Sequence, residues 1–145
     1  MSVHRREVLA GAGALMAGAV VRSVAQAAEH KHHAPSATTV VLDNTIACGA
    51  SGELCIDHCF ELLKKGETSI AGCAESVHEM LAVNSAITTL AAMGSPRLGE
   101  VARAALPVYA HCREQCELHA AKHEICKQCA GSCVNVAKAV DGLSA

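Results

Sequence analysis

The sequence predicts an all-α protein, an up-down-up-down antiparallel four-helix bundle with a cysteine-lined core, and three observations carry that reading. The first is cysteine spacing. Cys48, Cys55 and Cys59 stand at i, i+7 and i+11, Cys112 and Cys116 at i, i+4, and Cys126, Cys129 and Cys133 at i, i+3 and i+7. At about 100° per residue each set falls within one narrow stripe of an α-helix. Stripes of this kind on several helices can face one another only inside a bundle. The second is composition: nine cysteines accompany one Tyr, one Phe and no Trp. Such a core is filled by Ala, Val, Leu, Ile and thiols, a buried Cys packing as a small hydrophobe. The third is punctuation by Gly and Pro, which separates long helical stretches with short connections and so makes neighbours antiparallel.

The first helix is expected from about Thr39 to Lys65, with Gly66 as its C-terminal stop. Gly49 and Gly52 weaken it but allow close approach by a neighbour. Thr68 or Ser69 is expected to cap a second helix that runs to Met93 and stops at Gly94. Ser95-Pro96 marks a third start, with Ser at the N-cap and Pro at the first helical position. Pro107 inside that helix should kink it, because it removes a backbone donor. The fourth helix begins somewhere between Ala120 and Glu124, where no Gly or Pro marks the boundary, and carries its apolar stripe to about Val140.

This topology sets the ends of helices one and three beside the starts of helices two and four. Cys59 and Cys116 lie near such ends, and Cys73 and Cys126 about one turn after such starts. The thiols are therefore expected in one half of the bundle, reaching down its axis to Cys48 and Cys133. The other half reads apolar through Ile87, Leu90, Val101, Leu106, Val136 and Val140.

The chemistry of that sulfur can be narrowed. Residues at i, i+3 or i+4 have Cβ atoms about 5–6 Å apart, whereas a disulfide needs about 3.8 Å, and nine is odd; pairs across helices remain open. Structural zinc wants a closed set of four ligands, and only Cys126-Lys-Gln-Cys129 has the spacing of a zinc knuckle. A cubane iron–sulfur cluster favours Cys-x2-Cys-x2-Cys, which Cys126, Cys129 and Cys133 miss by one residue. Either site leaves most thiols unused. Cu(I) fits better, being soft and content with two or three sulfurs. One Cu(I) per thiolate is nearly neutral, and any other ratio buries uncompensated charge. The candidate ligands are thus Cys48, Cys55, Cys59, Cys73, Cys112, Cys116, Cys126, Cys129 and Cys133. The alternative is an exported small-site zinc, iron–sulfur or redox-sensing protein using Cys126, Cys129 and Cys133.

His119 and His123, at i, i+4, lie three residues from Cys116 and Cys126 respectively and can pass copper at the sulfur-rich mouth, or simply be solvated. His58 points about 100° away from Cys59 and reads as a surface residue, as do His78 and His111. Met80 shares the face of Cys73 and reads as core, with a thioether–copper contact as the less ordinary role. Asn84 continues that stripe and, if buried, needs a hydrogen-bond partner; Tyr109 is the candidate. No nucleophile set or paired-carboxylate constellation supports an enzyme.

The chain resembles the bacterial copper storage proteins in Cys48, Cys-Ile-Asp-His-Cys-Phe-Glu-Leu-Leu (Cys55 to Leu63) and Ala-Gly-Cys ending at Cys73. The resemblance continues through His-Cys-Arg-Glu-Gln-Cys-Glu-Leu-His (His111 to His119) and Cys-Lys-Gln-Cys-Ala-Gly-Ser-Cys (Cys126 to Cys133). It implies a four-helix bundle whose core cysteines hold many Cu(I) ions. Well-studied members carry a second cysteine on helix two and an earlier one on helix three; Asn84 and Tyr109 stand at those positions here, which lowers the expected number of deep copper sites. The implied partners are copper ions and, downstream, a copper-requiring apo-enzyme or copper chaperone.

Residues 1–27 read as a signal peptide of the twin-arginine type. Arg5-Arg6 precedes an uncharged run from Val8 to Val21, too short to span a bilayer, and Ala25-Gln26-Ala27 supplies the small residues of a cleavage site. An ordinary secretory signal is the alternative. The product would be periplasmic, with no membrane association after cleavage. Residues 28–38 read as a flexible His-rich tail, and residues 39–145 as the bundle. Cleavage before Ala28 would expose Ala28-Glu29-His30, whose amine, amides and imidazole suit square-planar Cu(II) or Ni(II), with His32 and His33 close by. A formal net charge of −2 gives no reason to expect nucleic acid as a partner. The sequence leaves a homo-oligomer open.

Overall fold

The computed structural model describes residues 34–143. The proposed signal segment, the Ala28-Glu29-His30 motif and His32 and His33 lie outside them. Four helices follow in order, α1 (Ala37–Lys64), α2 (Ala71–Ala92), α3 (Leu98–Glu117) and α4 (Glu124–Asp141). Each packs against two neighbours, α1 on α2 and α4, α3 on α2 and α4, while the diagonal pairs stand apart. Antiparallel connection by short turns makes this the expected up-down-up-down bundle.

A strict heptad alternation explains the packing. The buried residues step by three and four along every helix: Val41, Thr45, Cys48, Gly52, Cys55, Cys59 on α1 and Cys73, Val77, Met80, Asn84, Ile87, Ala91 on α2. On α3 they are Leu98, Ala102, Ala105, Tyr109, Cys112, Cys116, and on α4 Cys126, Cys129, Cys133, Val136, Val140. A 3.5-residue period keeps one seam facing the bundle axis over the whole helix length. Val101, expected in the apolar half, is instead exposed. Ala102 and Ala105 hold the seam, and Val101 falls one residue off it. Leu90 and Leu106 are half-buried, while Ile87, Val136 and Val140 are core as expected.

The helix ends follow mostly from local chemistry. Ser36 caps α1, its Oγ accepting from Thr39 N at 3.1 Å, so the helix starts two residues before Thr39. Gly66 ends α1 with φ 85°, where Glu67 N bonds Leu62 O at 3.0 Å and Gly66 N bonds Leu63 O at 2.9 Å. This is a Schellman closure, which needs a left-handed residue and hence glycine. Gly94, φ 63°, closes α2 in the same way. The expected side-chain cap of α2 by Thr68 or Ser69 is not made: a short 3₁₀ turn, Thr68–Ile70, leads straight into the helix. The third start also differs from expectation: α3 begins at Leu98 with Arg97 at its N-cap and no side-chain cap, and Ser95 Oγ accepts from Arg97 N at 3.2 Å within the turn that precedes the helix. Pro107 lies inside α3. The α3–α4 link tightens through i→i+3 bonds, His119 N to Cys116 O at 3.0 Å among them, and so needs no glycine.

Gly52 fulfils its sequence expectation. A Cβ there would stand 2.8 Å from both Leu81 Cδ2 and Met80 Cε, so any larger residue would have to displace the ends of both side chains where α2 meets α1. Among the described residues no helix is long and apolar enough to cross a membrane.

Candidate metal centre

Every cysteine of the chain is a free thiol at most 1% exposed. The sulfurs meet in three sets, each with its ligand atoms within 4.8 Å of one another: Cys55, Cys59, Cys73 and Cys126; Cys55, Cys116 and Cys129; Cys112, Cys129 and Cys133. Cys55 belongs to the first two sets and Cys129 to the last two, so the sets fuse into one column along the axis. Each draws on at least two helices, which is why the sequence places these thiols many residues apart.

Separations suit metal more than disulfide. Cys55 and Cys126 sulfurs lie 3.9 Å apart, Cys73 and Cys116 sulfurs 3.5 Å. Metal–sulfur bonds of about 2.3 Å place three sulfurs around one ion about 4 Å from each other. A disulfide would need them at about 2.05 Å. The column is therefore spaced to receive ions after small side-chain shifts. Cys126, Cys129 and Cys133 do not share one set: Cys126 joins the mouth set, while Cys129 and Cys133 meet deeper. The small-site alternative built on those three loses its ligand cluster, because steps of three and four carry the stripe along the axis rather than around one point.

The thiols also divide the proton load. Cys126 is drawn below the ordinary thiol range by the Cys55 thiol first, then by Cys59 and Cys73, with His123 adding a favourable charge. Cys129 is drawn down by Cys112 first, then by Cys116, Cys133 and Cys55. A thiolate accepting several S–H bonds is stabilised, and its donors must keep their protons. Cys116 and Cys133 are accordingly pushed up, each by Cys112 first and Cys129 next. Cys126 also lies in the first turn of α4, where the helix dipole favours negative charge. Buried sulfur in this pattern is primed for a cation but holds few charges without one.

At the inner end Cys48 lies 3.5 Å from the Met80 sulfur. Beyond it Tyr109 donates its O–H to Asn84 Oδ1 at 2.9 Å, and Asn84 Nδ2 donates to Thr45 O at 2.9 Å. The partner expected for Asn84 is thus the one it has. Burial first, and the neighbouring thiols Cys48, Cys133 and Cys112 next, hold the phenol above its ordinary range, which keeps it a donor.

At the outer end His123 meets His58, Nδ1 to Nε2 at 3.0 Å, with Glu67 Oε1 at 4.0 Å from His123 Nε2. His58 was expected at the surface and is half-buried in this contact. Its 100° offset from Cys59 aims it past the core edge toward the start of α4, where His123 sits. A signal existed in the sequence, since the expected topology already puts the end of helix one beside the start of helix four. His119, in the turn after α3, is half-buried, and neither it nor His123 falls within a thiol set. His78 and His111 are exposed as expected.

A four-helix bundle with a closed column of free thiols down one half of its axis is, as a class, a soft-metal-binding protein. The family model described as copper storage protein matches residues 33–145, and the chain belongs to that family. A search of curated proteins finds no match.

Proposed function

We propose that this protein stores copper as Cu(I), several ions to a chain and close to one per cysteine, without catalysis. The observation that supports this most is the fusion of three thiol sets through Cys55 and Cys129. A column with shared ligands accommodates bridged monovalent ions, and one positive charge per thiolate leaves the dry core neutral. A tetrahedral divalent site would satisfy Cys55, Cys59, Cys73 and Cys126 and leave the other five thiols without purpose.

His58, His123 and Glu67 stand at the mouth beside Cys126, and His119 in the adjoining turn. In this proposal they pass copper between the exterior and the first sulfurs. The notional recipients are a copper-requiring apo-enzyme or a copper chaperone. Residues 1–27 would direct export to the periplasm by the twin-arginine route, consistent with a protein that folds before it crosses; mass spectrometry of the exported N-terminus checks this, and an uncleaved chain would refute it.

Anaerobic titration of the reduced protein with Cu(I), against a competing chelator, tests the storage reading. Uptake near one ion per cysteine is expected. A plateau at one or two ions per chain would defeat it.

A further inference from the structure

We propose that the column ends in a mixed site where Cu(I) is held by the Cys48 thiolate and the Met80 thioether, with Cys133 as a shared third sulfur. The proposal rests on the storage reading and adds a ligand to it that the thiol sets do not contain. Cys48 Sγ and Met80 Sδ lie 3.5 Å apart, both sulfurs in residues with no exposure. An ion bound by both needs them to part by about half an ångström, given metal–sulfur bonds of about 2.3 Å. An unbranched methionine side chain can move that far at little cost.

Charge favours a thioether at this place. Cys48 lies outside all three thiol sets, so an ion there has one thiolate of its own. One Cu(I), the Cys48 thiolate and the neutral thioether sum to zero. Cys133, which interacts with Cys48, has its charge matched in the set it forms with Cys112 and Cys129, whereas a further thiolate belonging to this site alone would leave a buried negative charge. Copper binding here sends one proton, that of Cys48, to solvent. The thioether is soft enough for Cu(I) and has no proton to lose.

The surroundings are built around the Met80 side chain. Gly52 leaves the space its terminal methyl uses, since a Cβ at that position would stand 2.8 Å from Met80 Cε. One turn further along α2, Asn84 is tied by both ends of its amide, to Tyr109 and to Thr45. Its amide oxygen and nitrogen are both engaged by those partners.

Selenomethionine reports the contact directly. In full-length selenomethionyl protein loaded with Cu(I), selenium-edge X-ray absorption is expected to show a copper neighbour at bonding distance. The signal should persist in Met93→Leu, which changes an exposed side chain, and vanish in Met80→Leu, a swap that nearly conserves volume. Loaded protein without a selenium–copper shell would overturn the site while leaving storage intact, as would a shell that survives Met80→Leu. A protein that takes up no Cu(I) would bring down the storage reading and this site together. Should Met80→Leu not fold, loss of the shell in Cys48→Ser decides in its place, and a shell unchanged there refutes the pairing.

Discussion

Replacing Tyr109 by Phe removes one oxygen from the centre of the bundle and leaves the ring. Tyr109 is 1% exposed and Asn84 4%, so water cannot substitute for the lost donor. Asn84 Oδ1, which accepts from the phenol at 2.9 Å, would be left buried without a partner. Stranding a buried polar group costs about 1–3 kcal/mol. For a domain of this size each kcal/mol lowers Tm by about 4 °C, so a fall of about 4–12 °C is expected. Asn84→Leu strands the phenol hydroxyl and should cost a similar amount. The double variant Tyr109→Phe/Asn84→Leu removes both polar groups, and its loss should be smaller than the sum of the two by about 1–2 kcal/mol. Thermal unfolding of reduced, metal-free protein, followed by helical circular dichroism, supplies all three values. A Tyr109→Phe midpoint within about 1 °C of the parent, or simple additivity in the double variant, would refute the argument that this hydrogen bond is buried and coupled.

Cys129 lies in two thiol sets and Cys59 in one. Cys129→Ser should therefore reduce Cu(I) capacity more than Cys59→Ser, by about one further ion, as measured by titration against a chelator; equal losses would contradict the shared-ligand column. His58→Ala/His123→Ala should slow copper loading and chelator-driven removal in stopped-flow measurements while final capacity stays near the parent value, and unchanged rates would remove the pair from the copper path. Tyr109 is the chain's single tyrosine, and its folded pKa is raised from 10.0. Its contribution to stability is thus full below about pH 10 and lost as pH rises further. Phenolate absorption should appear only together with loss of helix, and ionisation at about pH 10 in intact bundle would contradict the burial described here.

Most of the sulfur column was legible because cysteine spacing of three and four is itself the seam period, so ligand set and packing set coincide. The Asn84–Tyr109 bond was legible for the same reason, both residues lying on seam positions of adjacent helices. Val101 misled because a large aliphatic beside Ala102 and Ala105 looks like the core residue, although period and not size decides the facing side. The start of α2 misled because Thr68 and Ser69 are good capping types, yet a 3₁₀ turn can satisfy the same amides without a side chain. The surroundings of His58 do not follow from its own helix alone. What faces it comes from α4, 65 residues away in sequence, and only the bundle's outer edge brings the two together.

Because no cysteine is more than 1% exposed, oxidants and disulfide partners have no sulfur to attack while the bundle is closed. Thiol–disulfide exchange requires a reachable thiolate, so its rate is set by how often the helices part. Ageing of the thiols is therefore gated by breathing motions and not by the redox potential outside. Any ion bound only by the closed form makes those openings rarer, in proportion to its occupancy and affinity. Under the storage reading, an empty chain has the shortest working life and a filled one the longest, and copper acts as the preservative of the sulfur that holds it.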